Sequence, residues 1–177
     1  CALHPVLTTI VECDSPVVSL DLFYCPALTK LEAHSMMLTD LDVTNCPELD
    51  YLWLKFNSIA ELDLTKCTKL RELQMGYNQV KVLDLSNCPL LETLEVAGNG
   101  LTTIDLSNCS NLISANLGMN NLISVDLKDC NELFSLVLSE NKLTSLDVSD
   151  KENLGVLSVS MNELESESSQ WSCNRRE

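Results

Sequence analysis

The most reactive side chains of this sequence are its nine cysteines, and six of them recur at intervals of 21 residues. Structural zinc sites commonly use C-x-x-C spacings, which are absent here. Stacked extended segments lie about 4.8 Å apart, but side chains with the same orientation do not converge as a disulfide requires. We therefore expect these cysteines to be buried as small apolar residues: Cys25, Cys46, Cys67, Cys88, Cys109 and Cys130.

The other reactive side chains indicate no catalytic site. The two histidines, His4 and His34, have no recognisable motif around them, and no serine or cysteine lies in a nucleophile elbow. Cys13 and His34 are 21 residues apart, which alone is weak support for a cysteine protease. The sequence predicts no enzyme, no cofactor and no metal site, and an enzymatic role would require a catalytic domain outside this chain.

Seven aspartates also recur with this spacing. Like charges about 5 Å apart repel by roughly 1 kcal/mol per neighbouring pair in water, so we expect compensation. Serine or threonine two residues later, or a nearby backbone amide, can donate hydrogen bonds to the carboxylate. Simple solvation and cation binding are the alternatives, although the glycine-rich nonapeptides of calcium β-rolls are absent. The column consists of Asp21, Asp42, Asp63, Asp84, Asp105, Asp126 and Asp147.

These spacings all derive from one repeated phrase, L-x-x-L-x-L-x-x-N-x-L-x-x-L-D-L-S-x-C-x-x, whose positions we number as places 1 to 21. Its L-x-L segments have the period of a strand, one around places 3 to 7 and one around places 13 to 17. One unit buries aliphatic side chains worth roughly 10 to 20 kcal/mol, but ordering its backbone costs at least as much. The units must therefore stack. They begin at Leu7, Leu28, Leu49, Leu70, Leu91, Leu112, Leu133 and Leu154.

Asparagine recurs at place 9, where the chain must turn after the first strand. A carboxamide both donates and accepts hydrogen bonds, so a column of asparagines can satisfy buried backbone groups in the same coil and the next. We predict a structural role for Asn57, Asn78, Asn99, Asn120, Asn141 and Asn162. Ser15 and Met36 interrupt the column, which predicts a looser corner in the first two repeats.

We predict one repeat domain over residues 1–177, with an amino-terminal cap at 1–6, eight repeats over 7–164, the last incomplete, and a carboxyl-terminal cap or tail at 165–177. A Cys1–Cys13 disulfide that closes the cap is one alternative. Either Trp171 lies across the exposed end, or this sequence ends within a longer array. Because the chain begins with Cys1 rather than methionine, we expect a processed or excised piece.

The phrase is similar to the leucine-rich repeat, specifically the nested 21-residue bacterial class called IRREKO, with consensus LxxLxLxxNxLxxLDLxxN. The match covers Leu7 to about Leu164, although cysteine replaces the second asparagine, as in LDLSNC at Leu83 to Cys88. The resemblance implies a right-handed solenoid, mainly β, with a parallel sheet on the inner face and little α-helix. It also implies a bacterial surface, secreted or effector protein whose array binds other macromolecules.

Charge and hydropathy exclude several partners. A formal charge of −15 disfavours nucleic acid and anionic membranes. No apolar run approaches the roughly 20 residues that a membrane-spanning helix needs, so we expect no membrane insertion. The oligomeric state does not follow from the sequence.

Large side chains collect at the outward places of the second to fourth repeats. Aromatic residues beside cations are typical of interface hot spots, although these rings could also simply cover a wide surface near a cap. The predicted partner-binding residues are Lys30, His34, Tyr51, Trp53, Lys55, Phe56, Gln74 and Tyr77. We call this set the sheet-face cluster.

The sequence therefore favours a non-enzymatic, protein-binding module of a bacterial surface or secreted protein, with a host or envelope protein as the partner. The alternatives are a structural spacer or stalk within a larger envelope protein, and a host-directed effector scaffold.

Overall fold

The computed structural model describes residues 6–11 and 17–164, which form a solenoid with one eight-stranded parallel sheet. The strands follow one another in the sheet in chain order. No helix occurs in these residues, so the predicted β-solenoid is confirmed. The strands are β1 Thr9–Ile10, β2 Lys30–Glu32, β3 Tyr51–Trp53, β4 Glu72–Gln74, β5 Thr93–Glu95, β6 Ser114–Asn116, β7 Ser135–Val137 and β8 Val156–Ser158.

The repeats stack in register. Leu31 pairs with Leu52, Leu52 with Leu73 and Leu73 with Leu94, and all four side chains are fully buried. In β2 to β7 the central residue is buried and its neighbours are partly exposed. This alternation follows from the two-residue period of a strand. The core is therefore a continuous column of aliphatic side chains.

Only the first of the two predicted strand-like edges forms a strand. At the second edge, around places 13 to 17, the backbone makes its hydrogen bonds within one repeat. For example, the amide of Ser86 donates to Oδ1 of Asp84 at 2.9 Å, and the amide of Cys88 donates to the carbonyl of Leu85 at 2.9 Å. The prediction of a second strand is wrong because side-chain and turn hydrogen bonds replace the ladder there.

The place 9 asparagines connect each repeat to the one before it. Nδ2 of Asn78 donates to the carbonyl of Met75 in its own repeat and to that of Leu54 in the preceding repeat. Its Oδ1 accepts from the amide of Ile59, also in the preceding repeat. The bonds thus run to the same coil and the previous one, whereas we expected the next. Where Met36 replaces asparagine, Met37 adopts a left-handed backbone angle in addition to the one at place 8, which Ser35 shares with the later repeats.

The second corner does not depend on a second asparagine. There the place 19 cysteine amide donates to the place 16 carbonyl, and the cysteine carbonyl accepts from the first amide of the next repeat. In one such corner the amide of Leu91 donates to the carbonyl of Cys88 at 3.2 Å. The thiols of Cys46 and Cys130 also lie 3.9 and 3.8 Å from carbonyls of the preceding repeat.

The six repeated cysteines are buried and unpaired. Burial disfavours the thiolate, so it raises the pKa of Cys46, Cys88 and Cys130 to about 11 and that of Cys67 and Cys109 to about 12. The next residue of this column, Lys151, is also buried and pairs with Asp150 at 3.1 Å. The Cys1–Cys13 pair, residues 1–5, Ser15, residues 165–177 and Trp171 lie outside the described residues.

These six thiols should resist thiol-specific reagents while the protein is folded. For the five whose pKa is raised to about 11 or 12, no more than roughly one thiol in a thousand is ionised at pH 8, and burial blocks access to all six. A variant with Cys1, Cys13 and Cys173 replaced by serine leaves only the repeated cysteines to react. Its reaction with Ellman's reagent should be slow in buffer. In guanidinium chloride the reagent should release six equivalents of thionitrobenzoate per protein chain, because unfolding exposes all six thiols. Rapid reaction in buffer would contradict the buried column.

Candidate interaction surface

Four residues of the sheet-face cluster lie in strands, and the other four follow the strands at places 7 and 8: Lys30, Tyr51, Trp53 and Gln74 in strands, and His34, Lys55, Phe56 and Tyr77 after them. Tyr51 and Trp53 flank the fully buried Leu52 in β3, so both rings face outward and are partly exposed. In the neighbouring strand, Lys30 pairs in register with Tyr51 and Glu32 with Trp53. The parallel register therefore brings these residues together on a rigid surface.

Trp53 lies at the centre of the cluster. The His34 ring stacks on Trp53, with ring centroids 6.0 Å apart and planes 21° apart. Nζ of Lys30 lies 4.3 Å from the Trp53 ring centroid, within cation–π range. Tyr51 contacts Trp53 edge to face at 6.5 Å. Four of the eight predicted residues thus form one connected set.

Two polar atoms in this set have no hydrogen-bond partner. Among the described residues, Nε1 of Trp53 and Nδ1 of His34 are covered by neighbouring atoms and unpaired. A buried donor or acceptor without a partner is costly. The arrangement of these two rings is therefore held by stacking and the adjacent cation rather than by hydrogen bonds.

Phe56 and Tyr77 form the second part of the cluster. Their rings stack almost in parallel, with centroids 4.8 Å apart and planes 8° apart. The other face of Tyr77 covers Gly98, where a Cβ atom would lie 2.7 Å from the ring. The Tyr77 hydroxyl reaches Sδ of Met119 at 3.6 Å. We call Phe56, Tyr77 and Met119 the apolar ridge.

The apolar ridge is exposed although its backbone is strained. The exposed fraction is 56% for Phe56 and 43% for both Tyr77 and Met119, and all three residues have φ between 54° and 57°. Left-handed angles cost roughly 1 to 2 kcal/mol for residues other than glycine. Sequence reasoning missed Met119, although reading place 8 across the repeats would have found it.

The three cations on this face are all paired with carboxylates. Lys30 lies 2.6 Å from Glu32, and Lys55 reaches Glu95 at 3.8 Å. Arg71, which the sequence reasoning missed, forms two hydrogen bonds with the carboxylate of Asp50 and lies 5.8 Å from the Tyr51 ring centroid. Gln74 donates a hydrogen bond to Glu72 in the same strand. The predicted cations are therefore present, but their charges are largely neutralised.

The aspartate column lies on the other edge and has a structural explanation. In the seven repeats that carry this aspartate, Oδ1 accepts a hydrogen bond from the amide two residues later, at 2.9 to 3.0 Å. The expected compensation by hydrogen bonding is confirmed. Bonds from the residue two places on also lower the pKa of five members: Asp42, Asp63, Asp84, Asp105 and Asp147.

Other features of the surface are less suited to binding. Within residues 6–11 and 17–164, no group of three His, Cys, Asp or Glu side chains is placed to hold a metal ion. A shallow cavity of about 200 Å³ lies far along the chain, between residues that include Asp126, Asp147 and Lys151. The described part of the chain also contains no helix of the length and hydropathy needed to cross a membrane.

Comparison with protein families identifies one repeat directly. The family described as Leucine Rich Repeat matches residues 79–99. Comparison with curated proteins found no match.

Comparison with solved structures extends the likeness to most of the chain. The functional domain of InlJ from Listeria monocytogenes, described as including a cysteine ladder, is 26% identical with a TM-score of 0.89, covering 92% of this chain and 36% of that one. A leucine-rich-repeat protein of Leptospira interrogans is 22% identical with a TM-score of 0.85, covering 90% and 44%. An internalin from Listeria monocytogenes, InlF, is 21% identical with a TM-score of 0.75, covering 90% and 56%.

The chain thus spans from about a third to just over half of the length of these structures. Its fold is that of the leucine-rich-repeat solenoid, and the three structures described above come from bacteria. Such repeats are generally interaction scaffolds, and no catalytic family is indicated.

Proposed function

We propose that this chain, a leucine-rich-repeat solenoid, is a non-enzymatic protein-binding module of a bacterial surface or secreted protein, with the sheet-face cluster as its contact surface. The observation that carries the proposal is the set of four packed rings, of which Phe56 and Tyr77 are exposed and Tyr51 and Trp53 are partly exposed. Tyr51, Trp53, Phe56 and Tyr77 contact one another in pairs on the outside of a sheet whose core does not need them. Tyrosine, tryptophan and arginine are the residues most often found at hot spots.

Rigidity makes this surface favourable for binding. The rings are held by stacking, by Lys30 and by the regular strands beneath them. Little side-chain entropy remains to be lost when a partner binds, so more of the contact free energy appears as affinity.

The likeness to internalins is consistent with this function. The structure that resembles most of this chain at 26% identity is described as the functional domain of its protein. We propose that the corresponding partner here is a host or envelope protein, and that the chain is displayed at the cell surface or secreted. The nested 21-residue class remains a prediction from the repeat length.

Replacing Trp53 by alanine should weaken partner binding more than tenfold. The substitution removes the ring that contacts His34, Tyr51 and Lys30, and loss of a central aromatic anchor typically costs at least 2 kcal/mol. The protein can be screened by biolayer interferometry against purified host-surface and bacterial envelope proteins. Each hit is then measured again with the variant.

Tyr24→Ala provides the matched control, because Tyr24 is an exposed aromatic residue outside the cluster. It should leave the affinity within about twofold. Thermal unfolding of both variants separates lost contacts from lost folding. If the proteins found in the screen bind the Trp53→Ala variant as tightly as they bind the unmodified protein, the proposed contact surface is wrong. If no partner is found at all, the spacer interpretation becomes the better one.

A further inference from the structure

The charges on the sheet face change the kind of partner that fits it. Places 2 to 8 of the second to fifth repeats carry three cations, which all have carboxylate partners: Lys30 with Glu32, Lys55 with Glu95, and Arg71 with Asp50. The sequence alone places lysines next to aromatic residues, an arrangement that would suit an anionic partner. The structure shows that these cations are already neutralised.

Two carboxylates in the same region form no ion pair. Across those places of the four repeats, Glu72 and Glu92 are the acidic residues without a cation within pairing distance, and both are partly exposed. Glu72 pairs in register with Tyr51, and the amide of Glu92 donates to the carbonyl of Arg71. The excess charge of the surface is therefore negative and lies at its Tyr51 side.

We infer that the partner is a basic protein segment whose lysine or arginine side chains pair with Glu72 and Glu92 while its apolar side chains contact the apolar ridge. This inference rests on the proposed function, since it assigns the chemistry of the partner at the same surface. The formal charge of −15 favours approach of a basic partner from a distance. An anionic partner would have to break the existing ion pairs first.

The geometry of the sheet sets the size of the segment. Glu72 lies at place 3 and the apolar ridge at place 8, so they are at most roughly 16 Å apart at 3.3 Å per residue, because the strand ends at Gln74 and the backbone turns at Tyr77. An extended segment of about five residues covers this distance. Place 7, between Glu72 and the apolar ridge, is occupied by the buried residues Gly76, Ala97 and Gly118. Because no large side chain projects there, a peptide backbone can approach the surface closely.

Three synthetic peptides of fifteen residues test the inference. The first contains four arginines and three leucines, with the centres of the two groups about five residues apart. The second has glutamate in place of each arginine, and the third has serine in place of each leucine. Affinity is measured by isothermal titration calorimetry at low and high salt. The first peptide should bind most tightly, and its affinity should fall as salt screens the charges.

Two double variants separate local from overall charge. Glu72→Gln with Glu92→Gln should weaken the first peptide about fivefold, as expected for two exposed ion pairs. Glu132→Gln with Glu152→Gln removes the same charge from exposed residues outside the cluster and should have less than half that effect. Equal weakening by both variants would show attraction by net charge alone and would overturn the inference, as would failure of the first peptide to bind.

The Trp53→Ala variant distinguishes the two proposals. If the glutamate peptide binds better than the arginine peptide and Trp53→Ala abolishes that binding, the contact surface is correct and the basic partner is wrong. If the arginine peptide binds in a way that needs Glu72 and Glu92 but not Trp53, the charge assignment holds and the aromatic contact surface is wrong.

Discussion

Asn120→Leu should lower the free energy of unfolding by about 3 to 5 kcal/mol. Oδ1 of Asn120 is the acceptor for the buried amide of Leu101, at 3.1 Å, and leucine leaves that donor unpaired. Nδ2 donates to the carbonyls of Val96, Leu117 and Gly118 at 3.0 to 3.1 Å. The first two also accept from Asn99 and Asn141, so they lose one of two bonds. Leucine has the same branching and number of side-chain heavy atoms as asparagine but a larger volume, so some overpacking adds to the cost of the lost hydrogen bonds.

Urea unfolding followed by circular dichroism measures this effect. Asn108→Ala is the control, because Asn108 is exposed, and it should change the free energy by no more than about 0.5 kcal/mol. In a linear array each repeat contacts only its neighbours, so damage between the fifth and sixth repeats should also broaden the transition. A change below about 1 kcal/mol for Asn120→Leu would show that the asparagine column is not essential.

Leu94→Ala should destabilise the protein by about 3 to 4 kcal/mol. Leu94 is fully buried at the centre of the sheet, where it pairs with Leu73 on one side and Ala115 on the other. Because the next repeat already carries alanine, the substitution places two small residues side by side. The neighbouring side chains are held by the register of the strands, so the core cannot close fully around the lost volume.

The control for this variant is Val82→Ala, since Val82 is 79% exposed. It should alter the free energy by about 0.5 kcal/mol or less in the same urea experiment. A compensating variant is also available: adding Ala115→Leu to Leu94→Ala should recover part of the loss, because it refills the adjacent volume. A loss of less than about 1 kcal/mol for Leu94→Ala would argue against a close-packed leucine column.

The sequence by itself determined the scaffold of this protein. Eight copies of one phrase with no insertion force equivalent residues into columns, because no single unit can bury its leucines alone. The register of Leu31, Leu52, Leu73 and Leu94 follows from that spacing. Hydrogen bonding of the aspartate column was also predictable, since the side chain and the amide that it accepts from lie within two residues of each other.

The tertiary structure alone decided which side chains meet between columns. Lys55 pairs with Glu95, two repeats away, because Gly76 between them has no side chain to block the path. The stacking of Phe56 on Tyr77, and of Tyr77 over Gly98, depends on left-handed angles at place 8 that the repeat pattern does not reveal. The repeat period determines which residues are backbone neighbours in adjacent repeats. The length and rotamer of each side chain determine its contacts, and those contacts determine the charge that a partner would meet.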